Sequence, residues 1–203
     1  MHHLNQVSQK SLLKLIKKKI KILGVIPARG GSKEIKGKNL SKIGGKTLVE
    51  LAIKSAKNSK LLTRTILSSE DKKILSVGKK AGADIPFIRP KKLASDRTST
   101  FSVLKHAVTW LEKKENWKAD IVVILQPTTP FRKAEHIDGV LKLLLKTRAD
   151  AVMTVKKVTT PSHWHLKISN KQKLTYLIKS GNKYLRRQDA PVTYQTAGMV
   201  TAI

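Results

Sequence analysis

The stretch VIPARGGSKEIKGKN, residues 25–39, joins an apolar run to a loop rich in glycine and positive charge. The run at residues 22–27 has the length and composition of a short buried strand. Glycines at positions 30, 31 and 37 follow it, interleaved with arginine and lysine. In an open α/β sheet, ligands bind outside the carboxyl ends of the strands, where loops lead into helices. The stretch therefore predicts a binding loop at the end of the first strand.

The residue types of this loop suit an anion. Gly30 and Gly31 let the backbone approach a ligand closely, and free N–H groups in such a loop form an anion-binding concavity. Arg29, Lys33 and Lys38 add full positive charges. These features predict a polyphosphate ligand. The alternative is a tight turn whose lysines are ordinary surface residues.

Two common nucleotide-binding loops are excluded by counting. A Walker A loop requires glycine, four residues and then Gly-Lys-Ser/Thr. Gly37-Lys38 is followed by asparagine and has Ser32 at the first glycine position, and Gly45-Lys46-Thr47 has Leu40 there. The G-x-G-x-x-G fingerprint of dinucleotide-binding folds is also absent from the loop. The loop is therefore of another kind.

Strand and helix patterns alternate along the chain. Strands are predicted at residues 22–27, 64–68, 85–88 (weakly), 120–126 and 151–155. Helices are predicted at residues 47–58, 70–81 with Gly82 closing the helix, 99–114 and 134–146. This order predicts an α/β fold with a mainly parallel sheet and helices on both faces.

Two short alternating segments, HWHLKI and KLTYLI, follow Pro161 and flank a polar turn. They predict a small β-hairpin added to the main sheet. On such a strand His163 and His165 would share one face. That face is either a metal-binding or sugar-binding pair, or an ordinary polar strand face.

Composition limits the class of protein. A chain of 203 residues with 40% hydrophobic residues predicts one globular domain. It contains no cysteine, which excludes disulfides and thiolate metal sites and favours an intracellular, cytoplasmic setting. No apolar run approaches the roughly 18 residues of a membrane-spanning helix, so stable membrane insertion is not expected.

Charge favours anionic partners. The formal net charge is +29, from 42 Lys and Arg against 13 Asp and Glu. Such a field attracts nucleic acid, anionic membrane or phosphorylated small molecules. The alternative is a general lysine bias, because the cations are spread over the whole chain. Residues 1–20 form a basic extension, either an amphipathic helix with a weak membrane-surface contact or a fraying helical extension.

Five motifs in order give the chain a specific resemblance to a known family. They are IPARGGSK with KN shortly after it, RPKKLASD at residues 89–96, LQPTTPFR at 125–132, RRQDAP at 186–191 and a glycine-containing strand at 197–200. The chain resembles the acylneuraminate cytidylyltransferases, and also the CMP-legionaminate, CMP-pseudaminate and CMP-KDO synthetases. The resemblance covers residues 22–203 and implies a Rossmann-like nucleotide-diphospho-sugar transferase fold.

The resemblance also implies an activity and a set of site residues. The activity is coupling of CTP to the anomeric hydroxyl of a nine- or eight-carbon keto-acid sugar, with release of pyrophosphate. The residues implied at the nucleotide are Ala28, Arg29, Gly30, Gly31, Ser32, Lys33, Lys38, Asn39, Arg89, Ser99 and Thr100, with Arg29 and Lys38 catalytic. Gln126, Arg187 and Gln188 would line one pocket for the sugar acid. The implied assembly is a cytoplasmic homodimer.

Two features depart from the family's pattern. The family binds Mg²⁺ through a pair of aspartates that follows the strand at 197–203, so the domain at 21–203 is expected to lack the usual C-terminal segment. None of Asp96, Asp120, Asp150 and Asp189 matches that pair, and no metal ligand is assigned. Ala197 stands where many relatives have asparagine beside the sugar pocket. The identity of the sugar acid stays open.

Three functions from different classes are consistent with these observations. The first is the cytidylyltransferase. The second is a nucleotide-binding relative without turnover because the metal-binding segment is absent. The third is a nucleic-acid-binding protein, which 4% aromatic residues and the lack of a recognisable RNA- or DNA-binding motif disfavour.

Overall fold

The computed structural model describes residues 20–32 and 35–203, which form two compact units. The first unit consists of the described residues through Thr154 together with Gly198–Ile203, and the second is Val155–Ala197. The predictions for residues 1–19 and for Lys33 lie outside the described residues. The prediction of one nucleotidyltransferase domain over residues 21–203 stays a prediction.

The main sheet has five strands in the order β4-β1-β5-β9-β6. The strands of the described chain are β1 (Ile22–Pro27), β2 (Lys42–Ile43), β3 (Lys46–Thr47), β4 (Arg64–Ser68), β5 (Ile121–Ile124), β6 (Val152–Lys157), β7 (Leu166–Ile168), β8 (Leu174–Tyr176) and β9 (Tyr194–Ala202). Strand β1 pairs in parallel with β4 and with β5, and β9 runs antiparallel to β5. The carboxyl ends of β1, β4 and β5 therefore meet at one edge.

Helices cover both faces of this sheet. They are α1 (Leu48–Lys57), α2 (Lys72–Lys80), α3 (Thr100–Glu115) and α4 (Ala134–Thr147). Side chains of α1, α2 and α4 pack with Ile22 and Ile26, and side chains of α3 pack with Leu23 and Val25. Because alternate residues of a strand point to opposite faces, β1 is buried on both sides. The predicted α/β fold with a mainly parallel sheet is confirmed.

Polar side chains set the helix starts. The Thr47 side chain accepts from the Glu50 N–H while Glu50 accepts from the Thr47 N–H, a reciprocal capping box at α1. Asp71 caps α2 by accepting from the N–H groups of Lys73 and Ile74, so that helix begins two residues later than predicted. Ser99 caps α3. Each of these helices therefore begins at a polar residue that accepts from N–H groups of its own first turn.

The weak strand predicted at residues 85–88 is wrong. Only Asp84 bridges to Ile66, and residues 85–88 after it have no strand pairing. Pro86 explains the difference, because proline has no N–H to donate to a sheet ladder. Residues 85–88 instead connect this bridge to Arg89.

The predicted hairpin forms, but its placement in the main sheet is wrong. Strands β7 and β8 pair antiparallel as a separate two-stranded sheet. His163 lies in a 3-10 turn, Ser162–Trp164, before the hairpin, so His163 and His165 do not share a strand face. The His163 ring packs edge-on against Tyr184 with centroids 4.7 Å apart. None of the described helices is long and apolar enough to cross a membrane.

Candidate active site

The loop after β1 is held close to the start of α2. The buried Ala28 donates its N–H to the Ser68 carbonyl at 3.0 Å, which extends the pairing of β1 with β4. The N–H of Gly30 donates to the Glu70 carboxylate at 2.7 Å. A Cβ on Gly30 would lie 2.5 Å from Oδ2 of Asp71. The absence of a side chain at Gly30 therefore permits this close approach.

Asn39 fastens the far end of the same loop. It lies in a 3-10 turn, Lys38–Leu40, that follows Gly37 in the left-handed region at φ 67°. Its buried side chain donates from Nδ2 to the Arg29 carbonyl at 2.8 Å. Asn39 thus shapes the loop by binding its backbone, in addition to lining the cleft described below.

Arg89 is bound to Ser68, the last residue of β4. Its guanidinium donates from Nε to the Ser68 hydroxyl at 3.0 Å and from Nη2 to the Ser68 carbonyl. Burial lowers the pKa of Arg89, the nearby Glu70 charge opposes that change, and Arg29 adds to it. Arg89 is therefore a buried cation placed at the carboxyl end of β4.

Arg29 and Asp96 form an ion pair across the site. The distance from Nη1 of Arg29 to Oδ1 of Asp96 is 2.6 Å, and the two side chains are 35% and 38% exposed. Asp96 ends the RPKKLASD motif, so the pair joins two of the motifs that carry the resemblance. Because both side chains remain accessible, a stronger anion can compete with Asp96 for the guanidinium.

These segments enclose a cleft of about 330 Å³. Its lining, within the described part of the first unit, is Pro27, Arg29, Ser32, Lys38, Asn39, Arg89, Leu93, Ser95, Asp96, Thr98, Thr100, Val103, Gln126, Pro127 and Thr128. The volume falls in the usual range for small-molecule sites. Three cationic residues line this one cleft: Arg29 and Lys38 from the loop after β1, and Arg89 from the RPKKLASD motif.

The cleft contains most of the predicted nucleotide residues but not all. Arg29, Ser32, Lys38, Asn39, Arg89 and Thr100 line it, together with Gln126. Ser99 instead caps α3 by accepting from the Ser102 N–H at 3.1 Å. The hydroxyls of Ser95 and Thr98, 2.8 Å apart, line the cleft and were missed by the sequence reasoning. Their position beside the RPKKLASD motif is the signal that could have identified them.

The model of the family described as Cytidylyltransferase matches residues 23–201. The chain belongs to the cytidylyltransferase family. Membership confirms the predicted family and the nucleotidyltransferase class of its enzymes.

Relatives of this cytidylyltransferase carry several substrate names. It is 30% identical to the pseudaminic acid cytidylyltransferase of Campylobacter jejuni, over 88% of this chain and 76% of the relative. It is 29% identical to the N-acylneuraminate cytidylyltransferase of Escherichia coli, over 89% of this chain and 41% of the relative. It is 34% identical to the CMP-N,N'-diacetyllegionaminic acid synthase of Legionella pneumophila, over 71% of this chain and 62% of the relative.

Solved structures support the same fold. A CMP:2-keto-3-deoxy-manno-octonic acid synthetase complexed with CTP matches with a TM-score of 0.65 at 20% identity, over 90% of this chain and 73% of the other. A 4-diphosphocytidyl-2C-methyl-D-erythritol synthase from Anaerococcus prevotii matches with a TM-score of 0.60 at 19% identity, over 92% of this chain and 70% of the other. At these identities the likeness extends to the fold alone.

The second unit of the cytidylyltransferase contains a further cavity of about 340 Å³. Its described lining is Lys157, Val158, Thr159, Pro161, Arg187, Gln188, Ala190, Pro191, Val192 and Thr193. Lys157 and Arg187 supply positive charge and no carboxylate lines it. Arg186, in contrast, donates from Nε to Oδ2 of Asp189 at 2.8 Å and from Nη2 to Oδ1 of Asp189 at 3.1 Å. The shared pocket for Gln126, Arg187 and Gln188 stays a prediction.

The described residues of the cleft do not fit a magnesium site built from protein ligands. Mg²⁺ prefers oxygen ligands, with one or two carboxylates as the usual protein share. Asp96 is the one carboxylate in the described lining, and Arg29 binds it. No group of three His, Cys, Asp or Glu side chains suited to a metal occurs in the described ranges. The magnesium prediction stays a prediction.

Proposed function

We propose that this chain transfers a cytidylyl group from CTP to a keto-acid sugar of the nonulosonic or octulosonic type. The observation that supports this most is the convergence of Arg29, Lys38 and Arg89 on one cleft at the carboxyl edge of the sheet. Membership of the cytidylyltransferase family and the names of its relatives support the same activity.

The cleft suits a nucleoside triphosphate on electrostatic grounds. Phosphoryl-type transfer depends mainly on positioning and on neutralising the charge of the phosphates. Arg29 offers a planar fork that binds two phosphate oxygens, and Lys38 offers a movable point charge. Arg89 adds positive potential from a buried position. We infer that phosphate oxygens replace Asp96 as the partner of Arg29 when CTP binds.

The acceptor needs a different set of groups. Its carboxylate suits the arginine fork, for which Arg187 in the second unit is the candidate, and Lys157 lines the same cavity. Its hydroxyls suit an amide, for which Gln126 in the cleft of the first unit is the candidate. These assignments follow the family resemblance and the chemistry of each residue.

The proposed step is a substitution at phosphorus. The anomeric hydroxyl oxygen of the sugar acid forms a bond to the α-phosphorus of CTP, and the bond from that phosphorus to the bridging oxygen breaks. Pyrophosphate leaves with the electron pair, and the hydroxyl proton is lost to solvent or buffer. Arg29 and Lys38 would stabilise the charge that moves onto the leaving group.

A pyrophosphate-release assay tests the proposal. Purified protein is incubated with CTP, magnesium and one of four sugar acids: sialic, legionaminic, pseudaminic or keto-deoxyoctulosonic acid. We expect release with at least one of them and a CMP-sugar of the matching mass. Arg29→Ala and Lys38→Ala should each lower kcat/KM by about 100-fold, as loss of a charge-stabilising donor does. Lys142→Ala, on the exposed face of α4, is the control and should retain the activity.

CTP binding without turnover defines the competing function. If calorimetry detects CTP binding but no sugar acid yields pyrophosphate, a nucleotide-binding relative replaces the enzyme as the better explanation. Failure to bind CTP would contradict both.

A further inference from the structure

Arg132 is a buried cation without a carboxylate partner among the described residues. It ends the LQPTTPFR motif just before α4, and 4% of its surface is exposed. Burial lowers its pKa to about 10. Burying an unpaired charge is unfavourable, so such a residue is retained where its geometry is needed.

The guanidinium of Arg132 instead binds neutral oxygens. Its Nη1 donates to the Gln126 carbonyl at 2.9 Å, to the Thr129 hydroxyl at 3.1 Å and to the Met199 carbonyl at 3.0 Å. Its Nε donates to the Ser55 hydroxyl at 3.2 Å. The Thr129 hydroxyl also donates to the Gln126 carbonyl, at 3.1 Å. Arg132 thereby joins the turn after β5 to strand β9 and to helix α1.

We propose that Arg132 is a positioning residue that fixes Gln126 in the cleft, because its Nη1 binds the backbone carbonyls of both Gln126 and Met199 of β9. This inference rests on the proposed function, in which the Gln126 side chain binds the sugar acid. The backbone of Gln126 faces the guanidinium while Gln126 itself lines the cleft, so one residue joins the buried network to the ligand space. Arg132 would then act on the acceptor without touching it.

Lysine cannot reproduce this arrangement. Its side chain is one atom shorter, and its ammonium would fall near the position of Cζ rather than Nη1. Arg132→Lys therefore keeps the charge but loses the bonds to Gln126 and Met199. Ser55→Ala is a matched control, because it removes the Nε contact and leaves the bonds of Nη1 in place.

The first measurement is an NMR spectrum of the side-chain amide of Gln126. Its signal is assigned by its loss in Gln126→Ala. We expect Arg132→Lys to shift or broaden this signal and Ser55→Ala to leave it in place. An unchanged Gln126 signal in folded Arg132→Lys would overturn the inference. If Arg132→Lys does not fold, Thr129→Val replaces it, since it removes two bonds of the same network, those of the Thr129 hydroxyl with Arg132 and with the Gln126 carbonyl, and should also move the signal.

The second measurement is a double-mutant cycle on steady-state rates. Arg132→Lys should raise the KM for the sugar acid roughly tenfold and leave the KM for CTP within about twofold. In the Gln126→Ala background the same substitution should change the sugar KM by less than about twofold, because the side chain it positions is gone. If the two substitutions instead act independently, so that their fold-changes in the sugar KM multiply, Arg132 has a general structural role and the inference is contradicted. If wild-type protein has no turnover, the proposed function fails, while the Gln126 signal still decides the role of Arg132.

Discussion

Gly30 and Gly31 are adjacent in the sequence but have different surroundings. A Cβ on Gly30 would lie 2.5 Å from Oδ2 and 2.9 Å from Cβ of Asp71, whose side chain is fixed as the cap of α2. No heavy atom lies within 4 Å of a Cβ placed on Gly31. The sequence pattern assigned both glycines the same role. At the level of single residues, the structure therefore separates a glycine required by packing from one that stands in open space.

We expect Gly30→Ala to weaken CTP binding roughly tenfold, since overpacking of this kind costs about 1–3 kcal/mol. The loop must move away from Asp71, and it carries Arg29 with it. Gly139→Ala on α4, where an added Cβ also meets no heavy atom within 4 Å, is the matched control and should bind CTP as the wild type does. Isothermal titration calorimetry on both variants provides the comparison. Equal affinities for CTP would show that the close approach at Gly30 does not shape the binding loop.

One residue of helix α3 has surroundings that are unfavourable for a positive charge. His106 packs edge-on against Phe87 with ring centroids 4.7 Å apart. Burial lowers its pKa below the ordinary 6.5, and the charges of Arg89 and Lys92 add to the effect. The folded state therefore disfavours the protonated ring. Its contribution to stability is present above pH 6.5 and is lost as the pH falls through the lower pKa of the folded state.

Urea unfolding at pH 7.5 and pH 5.5 tests this expectation for α3. Wild-type protein should lose stability on acidification, and His106→Gln should lose less. His165→Gln, at an exposed position, should follow the wild type. The same loss of unfolding free energy in His106→Gln and wild type would exclude His106 as the source.

At the level of helices and strands, the spacing of apolar residues predicted the elements whose apolar faces are buried. All four helices formed within two residues of the predicted bounds, because their apolar faces and polar caps are local features of the sequence. The small β2-β3 hairpin was missed, although Gly44-Gly45, with φ of 57° and 78°, is a typical hairpin turn. The bonds from Asn39 to Arg29 and from Arg132 to Met199 depend on chain packing, which no local pattern specifies.

The motifs specify the cleft better than they specify its contacts. Arg29, Lys38, Arg89 and Gln126 were predicted at the site and do line one cleft. The ion pair of Arg29 with Asp96 was not predicted. Its two residues are 67 positions apart in the sequence, and only the fold brings them together. Sequence motifs thus identified several residues that line the cleft, whereas the partners of those residues required the structure.

At the scale of the whole molecule, the net charge of +29 and the cleft are expected to affect CTP binding at different stages. A diffuse positive field accelerates the approach of an anion and is screened by salt, whereas close contacts determine how slowly the bound ligand leaves. Lys113, Lys114 and Lys142 are exposed and do not line the cleft, so they contribute to the field alone. Lys38 contributes to both.

Stopped-flow kinetics can separate the two contributions. We expect Lys113→Gln, Lys114→Gln and Lys142→Gln together to lower the CTP association rate about twofold at low salt, with the difference vanishing near 0.5 M salt, where the screening length is only a few ångströms. The dissociation rate should not change. Lys38→Gln should raise the dissociation rate at every salt concentration, because it removes a contact within the cleft. A dissociation rate that is insensitive to Lys38 but sensitive to the three surface lysines would mean that CTP is held by the general charge of the protein and not by the loop after β1.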